Sequence, residues 1–594
     1  MDILLISTPV ANFGQCSSGL SVLTAYLRAR GFEASQWDLA IEAFHHFHSP
    51  GYLTTRLEVL ERTGVDDVPE PKDLNGHLPE EQDIRVVARR VVAEIDAAKA
   101  ALRRPGVERD HPTMRWAFQT IADAGVVITA AAQGRYEHDF RHFGVDGAFR
   151  SYEALEAAIS DPASNPYLEF MEQVALPRIL RERPRAVGIS MTFFSQVVPG
   201  FTLARLLRQH APEIKLVMGG AYLTAVEDQV STLPVNLVPV DAIILHDGEE
   251  PLERWLKLVL EGQGQAEEIP NSYLPSAATG RFTQAGERNI VHTELDLLPV
   301  PMWTLDGLDL SRYLVPRYPI PLPLSRGCYW GRCSFCNISC QTQASYRTRP
   351  VEMAIADIKA AIAQTGSNWF DFPVDSFRPK ELHALAKAIV AEGLDIEWGA
   401  EVLLDPGFKD HVIADLAASG CRCLRFGLES ANAETLAAMN KPTRPGEARR
   451  ILKTCKDNGI QTAVMLIAGF PNETQARLWE TYDYLEQNVD RIDFLTIHSY
   501  SLVPGSPMAQ DPGKFGLYLL PQKAVLWTSL PFVNTNPVGM KNEDLPRVVQ
   551  AMREGLKAVY PDLGEMWTVA IGGWMTFPAC CGVRKDLVHP TAGG

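Results

Sequence analysis

Short apolar runs alternate with amphipathic helical stretches in two separate series along this sequence, and that alternation limits its folds more than any other feature. The first series opens with ILLIS (3–7). Leu20, Leu23 and Leu27 then recur at helical spacing, and Gly31 sits where a C-cap ends a helix. EASQWDL follows as a second strand. The pattern resumes with AVGISMTFF (186–194), a helix from Phe201 to Leu207, KLVMGG (215–220) and DAIILHDGEE (241–250). The second series reads IPLPLS (320–325), WFDFPV (369–374), DIEWGAEVL (395–403), CLRFGLE (423–429), QTAVMLIAGF (461–470) and DFLTIHSY (493–500). Between its strands lie helices carrying Ile355, Ile358 and Ile362, then Leu382, Leu385 and Ile389. Strands joined by helices predict parallel sheets whose ligands sit at the carboxyl ends of the strands. The fold class is therefore α/β, with a doubly wound first sheet and a second built as a partial (β/α)6 barrel.

Between the two halves of the first series, about 50–165 predict a mainly helical insertion. Ile84, Val87, Val91, Ile95 and Ala98 keep one helix face apolar, and Pro79 and Pro105 bracket it. Such an insertion is either a substrate lid or cover for the domain edge. The expected organisation is a first domain over 1–262, a Pro/Gly/Ser-rich surface linker over 263–319, the barrel over 320–510 and a small C-terminal α/β module over 511–594. Aromatic-rich FGLYLLPQKAVLW and WTVAIGGWMTF mark that last module.

Charge excludes some partners. With 56 basic and 72 acidic side chains the net charge is -16, which argues against general affinity for nucleic acid or an anionic membrane. The opening MDILLISTPV has no basic n-region and reads as a buried strand, not a signal peptide. No apolar stretch approaches the ~18–20 residues of a spanning helix. Ten cysteines in 594 residues are too sparse for a disulfide scaffold, so the expected location is a reducing cytoplasm.

Four of those cysteines, Cys328, Cys333, Cys336 and Cys340, crowd one short stretch directly after the first strand of the second series. Thiolates clustered in one loop can reach three corners of an iron–sulfur cubane. Zinc is the rival ligand, but a structural zinc site needs a second Cys/His pair, and none follows at the expected distance. Cysteines serving only as small core residues fit poorly with a loop flanked by Gly327 and Gly331 and carrying two arginines. Three thiolates for four irons would leave one iron open.

RGC followed by C-x-F-C after the first barrel strand resembles the signature of radical S-adenosylmethionine (SAM) enzymes, in which SAM chelates the open iron of a [4Fe-4S] cluster. The resemblance covers about 320–510. It implies Cys328, Cys333 and Cys336 as cluster ligands, with Phe335 and Asp375 (in WFDFPVDSF) toward SAM. Glu429 and Ser430, in CRCLRFGLESANAETLAAMNK, correspond to the fourth-strand motif. Gly469, in GIQTAVMLIAGFPNET, corresponds to the fifth-strand motif where backbone approaches adenine, and YSLVPGSP (500–507) resembles the segment closing the sixth strand. Glu401 and Asp405 lie near strand ends and are either further contacts to SAM or another cofactor, or ordinary polar loop residues. One departure is the C-x4-C-x2-C spacing, where the family commonly has C-x3-C-x2-C. Cys340 is not needed by the pattern and reads as a free thiol. Cys580-Cys581 is either a redox pair or two ordinary thiols.

In the first domain, Ser190-Met191-Thr192, then twenty-six residues, then Gly219-Gly220 resembles the S-x-L…GG pair of cobalamin-binding domains. A small hydroxyl can bond a buried polar tail, and paired glycines let a ligand lie against backbone. By itself the pair also fits a doubly wound domain with no cofactor. Asp247, Gly248 and Glu249 resemble the acidic segment that such proteins carry before their linker, and Tyr222 is a further corrinoid candidate. A domain of this kind directly before a radical SAM barrel is the arrangement of cobalamin-dependent radical SAM enzymes, whose first domain is Rossmann-like. STPVANFGQC contains no histidine, so the implied cobalamin lacks a histidine lower ligand. His45, His46 and His48 follow the second strand and are expected as surface or loop residues.

The resemblance implies that a reduced cluster cleaves SAM to a 5′-deoxyadenosyl radical, which abstracts hydrogen from an unactivated carbon. Methylcobalamin then supplies a methyl group, and a flavodoxin- or ferredoxin-type reductant supplies electrons. The function implied first is C-methylation of a peptide or small-molecule natural product. The alternative is a non-methylating rearrangement, ring contraction or cyclisation by the same cofactors. A cobalamin-binding sensor with a degenerate barrel ranks below both, because the cysteines and the SAM-contact strands are intact. No individual catalytic residue is identified.

Overall fold

In the computed structural model, the first series of strands forms one seven-stranded sheet. The structure describes residues 1–10, 13–65, 67, 83–140, 142–286, 290–304, 307–341, 345–373 and 375–560. The chain divides into two units: 1–104, 112–314 and 523–527 form the first, and 105–111, 315–522 and 528 onward the second.

The first unit is organised by β1 (Ile3–Ser7), β2 (Ala34–Asp38), β3 (Ala186–Ser190), β4 (Lys215–Gly219), β5 (Ala242–Ile244), β6 (Ser272–Ser276) and β7 (Arg281–Gln284), in the order β2-β1-β3-β4-β5-β6-β7. The first five are parallel, and their order 2-1-3-4-5 reverses between β1 and β3, the switch point where such sheets bind ligands. Ser7 pairs with Ser190, Ser190 with Gly219, and Gly219 with Ile244, so the carboxyl ends of four strands come level. Ile3, Leu5, Leu27, Ala186, Trp255 and Leu256 build the core on one side.

The expected linker is only partly irregular. Within it, β6 and β7 form an antiparallel hairpin that extends the sheet past β5. Tyr273 and Phe282 are buried there, in runs too short for periodicity to show. The insertion is helical over Pro50–Thr63, Ile84–Arg103 and His111–Ala131. Ile84, Val87, Val91, Ile95 and Ala98 are fully buried, and Pro79 lies outside the described residues.

The second unit carries β8 (Ile320–Pro321), β9 (Trp369–Phe372), β10 (Glu397–Leu403), β11 (Cys421–Glu429), β12 (Gln461–Ala468) and β13 (Phe494–Ser499), all parallel and paired in chain order. Sequential pairing of six βα steps, with β8 and β13 left as edges, gives the partial barrel. The tail of this unit is a hairpin of Leu517–Leu519 with Phe532–Asn534, then a helix over Leu545–Lys557. WTVAIGGWMTF, Cys580 and Cys581 lie outside the described residues. Among the described residues, no helix is long and apolar enough to cross a membrane.

Candidate functional site

The cysteine loop follows β8, and neighbouring strand ends hold it by its backbone. Gly327 N–H donates to Oδ2 of Asp375, in the loop after β9, at 2.9 Å, and Cys328 forms a parallel bridge with Ser376. Farther along, Ser334 N–H donates to the Met439 carbonyl at 2.9 Å and Ser334 Oγ to that of Ala438 at 2.9 Å. The Trp330 indole donates to Asn440 O at 2.8 Å, and Asn440 Nδ2 to Arg332 O at 2.7 Å. Phe335 packs against Leu436, Met439, Phe470, Tyr500 and Leu502. The segment after β11 thus grips the loop that carries the thiols.

Cys328, Cys333 and Cys336 are all free and half-buried. Burial pushes the Cys333 thiol up to about 12, opposed by the Lys441 ammonium and reinforced by Cys336, Glu429 and Cys328. Burial also raises Cys336, with Cys328 adding to it and Ile338 N–H, which donates to Cys336 Sγ at 3.4 Å, opposing it. Three thiols so placed that Cys328 adds to the rise at both Cys333 and Cys336 are a donor set that cationic iron would deprotonate and bind. Among the described residues no three His, Cys, Asp or Glu side chains stand close enough to grip a single ion. A cluster offers separate iron corners, so its ligands need not converge on one point. The Cys340 side chain lies outside the described residues.

The other predicted residues fall at the carboxyl ends of successive strands. Glu429 ends β11 at φ +64°, beside a register shift between Gly427 and Glu429. Such a bulge turns its carboxylate to Lys441, whose Nζ is 2.6 Å away. Burial alone would lower the Lys441 pKa, but Glu429 and Cys333 more than offset this and raise it. Glu401 on β10 pairs with Arg425 on β11, Oε1 to Nε at 3.4 Å, and Arg425 also holds Asp371 of β9 at 2.7 Å. Burial raises the Glu401 pKa against the pull of Arg425. Asp405 accepts from the Tyr329 hydroxyl at 2.8 Å, a second tie to the cysteine loop. Ser430 is fully buried, its hydroxyl 3.2 Å from that of Thr481, so it supports the strand end from behind. Gly469 follows β12 at φ +85°, and its N–H donates to buried Glu473 at 2.7 Å. A Cβ on Gly469 would meet Leu545 at 2.3 Å, so a helix side chain already fills the space it leaves.

Sequence reasoning did not single out Arg425, Lys441, Glu473 or His498. The first three sit inside quoted motifs and are charged residues in apolar company, which was the available signal. His498, next to the carboxyl end of β13, is exposed, and Arg553 donates to the preceding Ile497 carbonyl at 2.7 Å.

In the first unit, Ser190, Met191 and Thr192 lead out of β3 at the switch point. Gln196, fully buried, accepts from Thr192 N–H at 2.6 Å and Phe193 N–H at 3.0 Å, and donates to the Thr8 carbonyl beyond β1. Met191 N–H donates to Gly219 O at 2.8 Å. A Cβ on Gly219 would lie 2.7 Å from Ile244 O, and one on Gly220 (φ +110°) 2.2 Å from Met191 O. The paired glycines therefore admit neighbouring backbone along the directions where a ligand surface was expected. The half-buried Ser190, Thr192, Gly219 and Gly220 remain as the edge a corrinoid would meet. Tyr222 is buried, with its hydroxyl on the Leu526 carbonyl. Asp247 accepts from Thr293 N–H at 2.8 Å and buried Glu249 from Thr293 Oγ1 at 3.2 Å, while Gly248 packs toward Leu23. That acidic segment anchors the chain's own 290–293 stretch.

The histidine run is not on the surface. His45–Phe47 belongs to the helix Leu39–Phe47; His48 is buried, stacked on Phe44 at 4.2 Å, and His45 Nε2 contacts Arg312 O at 2.8 Å. Apolar helix partners drew them inward.

Residues 322–485 match the radical SAM superfamily. The chain carries a radical SAM domain joined to a doubly wound α/β unit, and the two together have a known fold. That fold is shared with the radical S-adenosylmethionine methyltransferase TsrM from Kitasatospora setae, in its structure with tryptophan substrate and a SAM analogue. The TM-score is 0.60 at 14% identity, covering 99% of this chain and 98% of that one. Another structure of TsrM holds cobalamin and a [4Fe-4S] cluster. Among curated relatives, an uncharacterized methyltransferase of Pyrococcus horikoshii is 26% identical over 53% of this chain and 67% of its own length. The bacteriochlorophyllide d C-12(1)-methyltransferase of Chlorobaculum tepidum is 28% identical over 36% of this chain, which spans about half (48%) of that relative. The radical SAM domain begins just before the cysteine loop and ends within the helix after β12.

Proposed function

We propose that this radical SAM protein is a cobalamin-dependent C-methyltransferase acting on an unactivated carbon of a peptide or small-molecule natural product. The observation that carries the reading is the pairing, in one chain, of a three-thiol loop at the head of a parallel half-barrel with a 2-1-3-4-5 sheet whose switch point is edged by Ser190, Thr192 and Gly219. The names of TsrM and of both curated relatives, all methyltransferases, support the methylating form.

On this reading Cys328, Cys333 and Cys336 hold a [4Fe-4S] cluster, and Lys441 balances the negative charge of the thiolates. Asp375 fixes the loop at Gly327. Glu429, Glu401 and the backbone at Gly469 line the strand ends where SAM binds. A corrinoid without a histidine lower ligand meets the edge at Ser190 and Thr192. When bound, these cofactors supply one-electron cleavage of SAM and methyl delivery, chemistry beyond any side chain. A flavodoxin- or ferredoxin-type protein provides the electrons.

The test is anaerobic reconstitution with iron, sulfide and hydroxocobalamin, followed by reduction with SAM present. Formation of both 5′-deoxyadenosine and S-adenosylhomocysteine supports the methylase. 5′-Deoxyadenosine without S-adenosylhomocysteine would favour rearrangement chemistry instead. Alanine at Cys328, Cys333 or Cys336 is expected to abolish SAM cleavage, and Cys340→Ala to retain it.

A further inference from the structure

Four residues, Tyr329 to Arg332, separate Cys328 from Cys333, where the commoner spacing has three. The fold gives these four residues two different anchors. Cys328 stands with the ends of β9 and β10. Besides its bridge to Ser376 and the bond from Gly327 to Asp375, the next side chain, Tyr329, donates its hydroxyl to Oδ2 of Asp405 at 2.8 Å. That carboxylate, just beyond β10, is itself aimed, since Gly407 N–H donates to its Oδ1 at 2.6 Å. The Tyr329 ring lies edge-on to Tyr346 at 6.0 Å, and the Arg378 guanidinium covers both rings, at 5.9 and 4.8 Å. Tyr346 donates in turn to Glu381 at 2.5 Å. Burial and the Asp405 charge both raise the Tyr329 pKa, so its hydroxyl stays a donor at neutral pH.

Cys333 and Cys336 stand instead with the segment after β11. The Trp330 indole donates to Asn440 O, and Asn440 returns a bond from Nδ2 to Arg332 O, so one residue grips the spacer at two points. Asn440 sits at φ +53°, a conformation that asparagine adopts more readily than most residues. Ser334 and Phe335 extend the same attachment. The change of anchor therefore falls between Tyr329 and Trp330, and Gly331, at φ +57°, makes the turn that follows. Adjacent side chains tied to two different strand ends set how far the first thiol stands from the other two.

We propose that Tyr329 and Trp330 are positioning residues that fix the separation of Cys328 from Cys333 and Cys336, and that the fourth spacer residue lets the loop reach both anchors. The inference rests on the reading of these three thiols as cluster ligands. Groups that orient ligands without binding metal themselves still govern how well the metal is held.

Tyr329→Phe and Trp330→Phe each remove one donor and keep a ring. Both are made in the full chain and reconstituted anaerobically with iron and sulfide beside the wild type. Unloaded, the variants should stay close to wild type in melting temperature. Loaded, each should surrender iron to a chelator about tenfold faster or more. The electron paramagnetic resonance line shape of the reduced cluster, recorded without SAM, should also change. Asp405→Ala should match Tyr329→Phe, and the two combined should be no worse than either alone. Asp405→Asn, which keeps an acceptor oxygen, should hold iron like wild type. Deletion of Trp330, which restores the three-residue spacing, should lower iron content below that of Trp330→Phe. Wild-type iron retention and line shape in both single variants, or full loading of the deletion, overturns the proposal. Failure of the unaltered chain to take up iron would overturn both the proposal and the reading of the thiols on which it rests.

Discussion

The ammonium of Lys441 lies 2.6 Å from Oε1 of Glu429, and both side chains are almost wholly buried. Gly427 has no side chain because a Cβ there would meet Glu429 Oε1 at 2.4 Å and Lys441 Nζ at 2.6 Å. Removing one partner of a buried pair strands the other charge, at a cost of roughly 3–5 kcal/mol. Lys441→Met and Glu429→Gln should each lower the urea midpoint of the second unit strongly. The double variant should recover much of that loss. Additive losses in the double-mutant cycle would show that the two side chains do not interact.

Asp375 holds Gly327, one residue before the first predicted cluster ligand, by a charge-assisted bond at 2.9 Å. Asp375→Ala should free the loop backbone while leaving the sheet intact, at a cost of about 1–3 kcal/mol. Its expected signature is a reconstituted protein with less iron per chain than wild type, whereas Asp375→Asn, which keeps an acceptor oxygen, should retain most of it. Equal iron content in all three proteins would show that the bond does not shape the loop.

The sequence made the strands legible because parallel strands buried on both faces read as apolar runs. CLRFGLE lies within Cys421–Glu429, and QTAVMLIAGF runs only two residues past Gln461–Ala468. What was not legible depends on partners far apart in the chain. Arg425 gave no local sign of its role, because its partners Asp371 and Glu401 come level with it only in the folded sheet. Gln196 carried no motif, yet it ties the loop after β3 to Thr8 across the switch point. Residues 523–527 read as part of a C-terminal module, since nothing local announces that a segment will fold onto another unit. His48 read as a loop residue because a polar side chain gives no sign that aromatic neighbours will enclose it.

Glu473 supplies a pH test. Burial pushes its carboxyl up from 4.5 to about 7, despite the N–H of Gly469. Below pH 4.5 both folded and unfolded chains hold the proton. As pH rises from 4.5 to about 7 the unfolded chain releases it first, so stability falls across that window and levels off above it. The loss from this group is up to about 3 kcal/mol. Glu473→Gln, which has no proton to lose, should therefore exceed wild type in stability at pH 8 and converge with it near pH 5. Chemical denaturation at the two pH values checks this, and parallel curves for the two proteins would rule it out.

The histidines of the first unit act in the opposite direction. Burial lowers His138 from 6.5 to about 3 and His45 to about 4, and it holds His48 well below its ordinary value. His138 Nε2 is 2.9 Å from the Tyr167 hydroxyl, its ring stacked on that of Tyr167 at 5.7 Å. Each ring stays neutral in the folded chain while its unfolded counterpart takes up a proton below about pH 6.5. Stability is therefore fully present above pH 6.5 and is lost as pH falls toward about 3. The melting temperature of the first unit should drop between pH 7.5 and pH 5. His138→Gln, which can still bond the Tyr167 hydroxyl but does not titrate, should show a shallower drop while melting lower than wild type at pH 7.5 through lost packing. A steeper drop in that variant would place the acid sensitivity elsewhere.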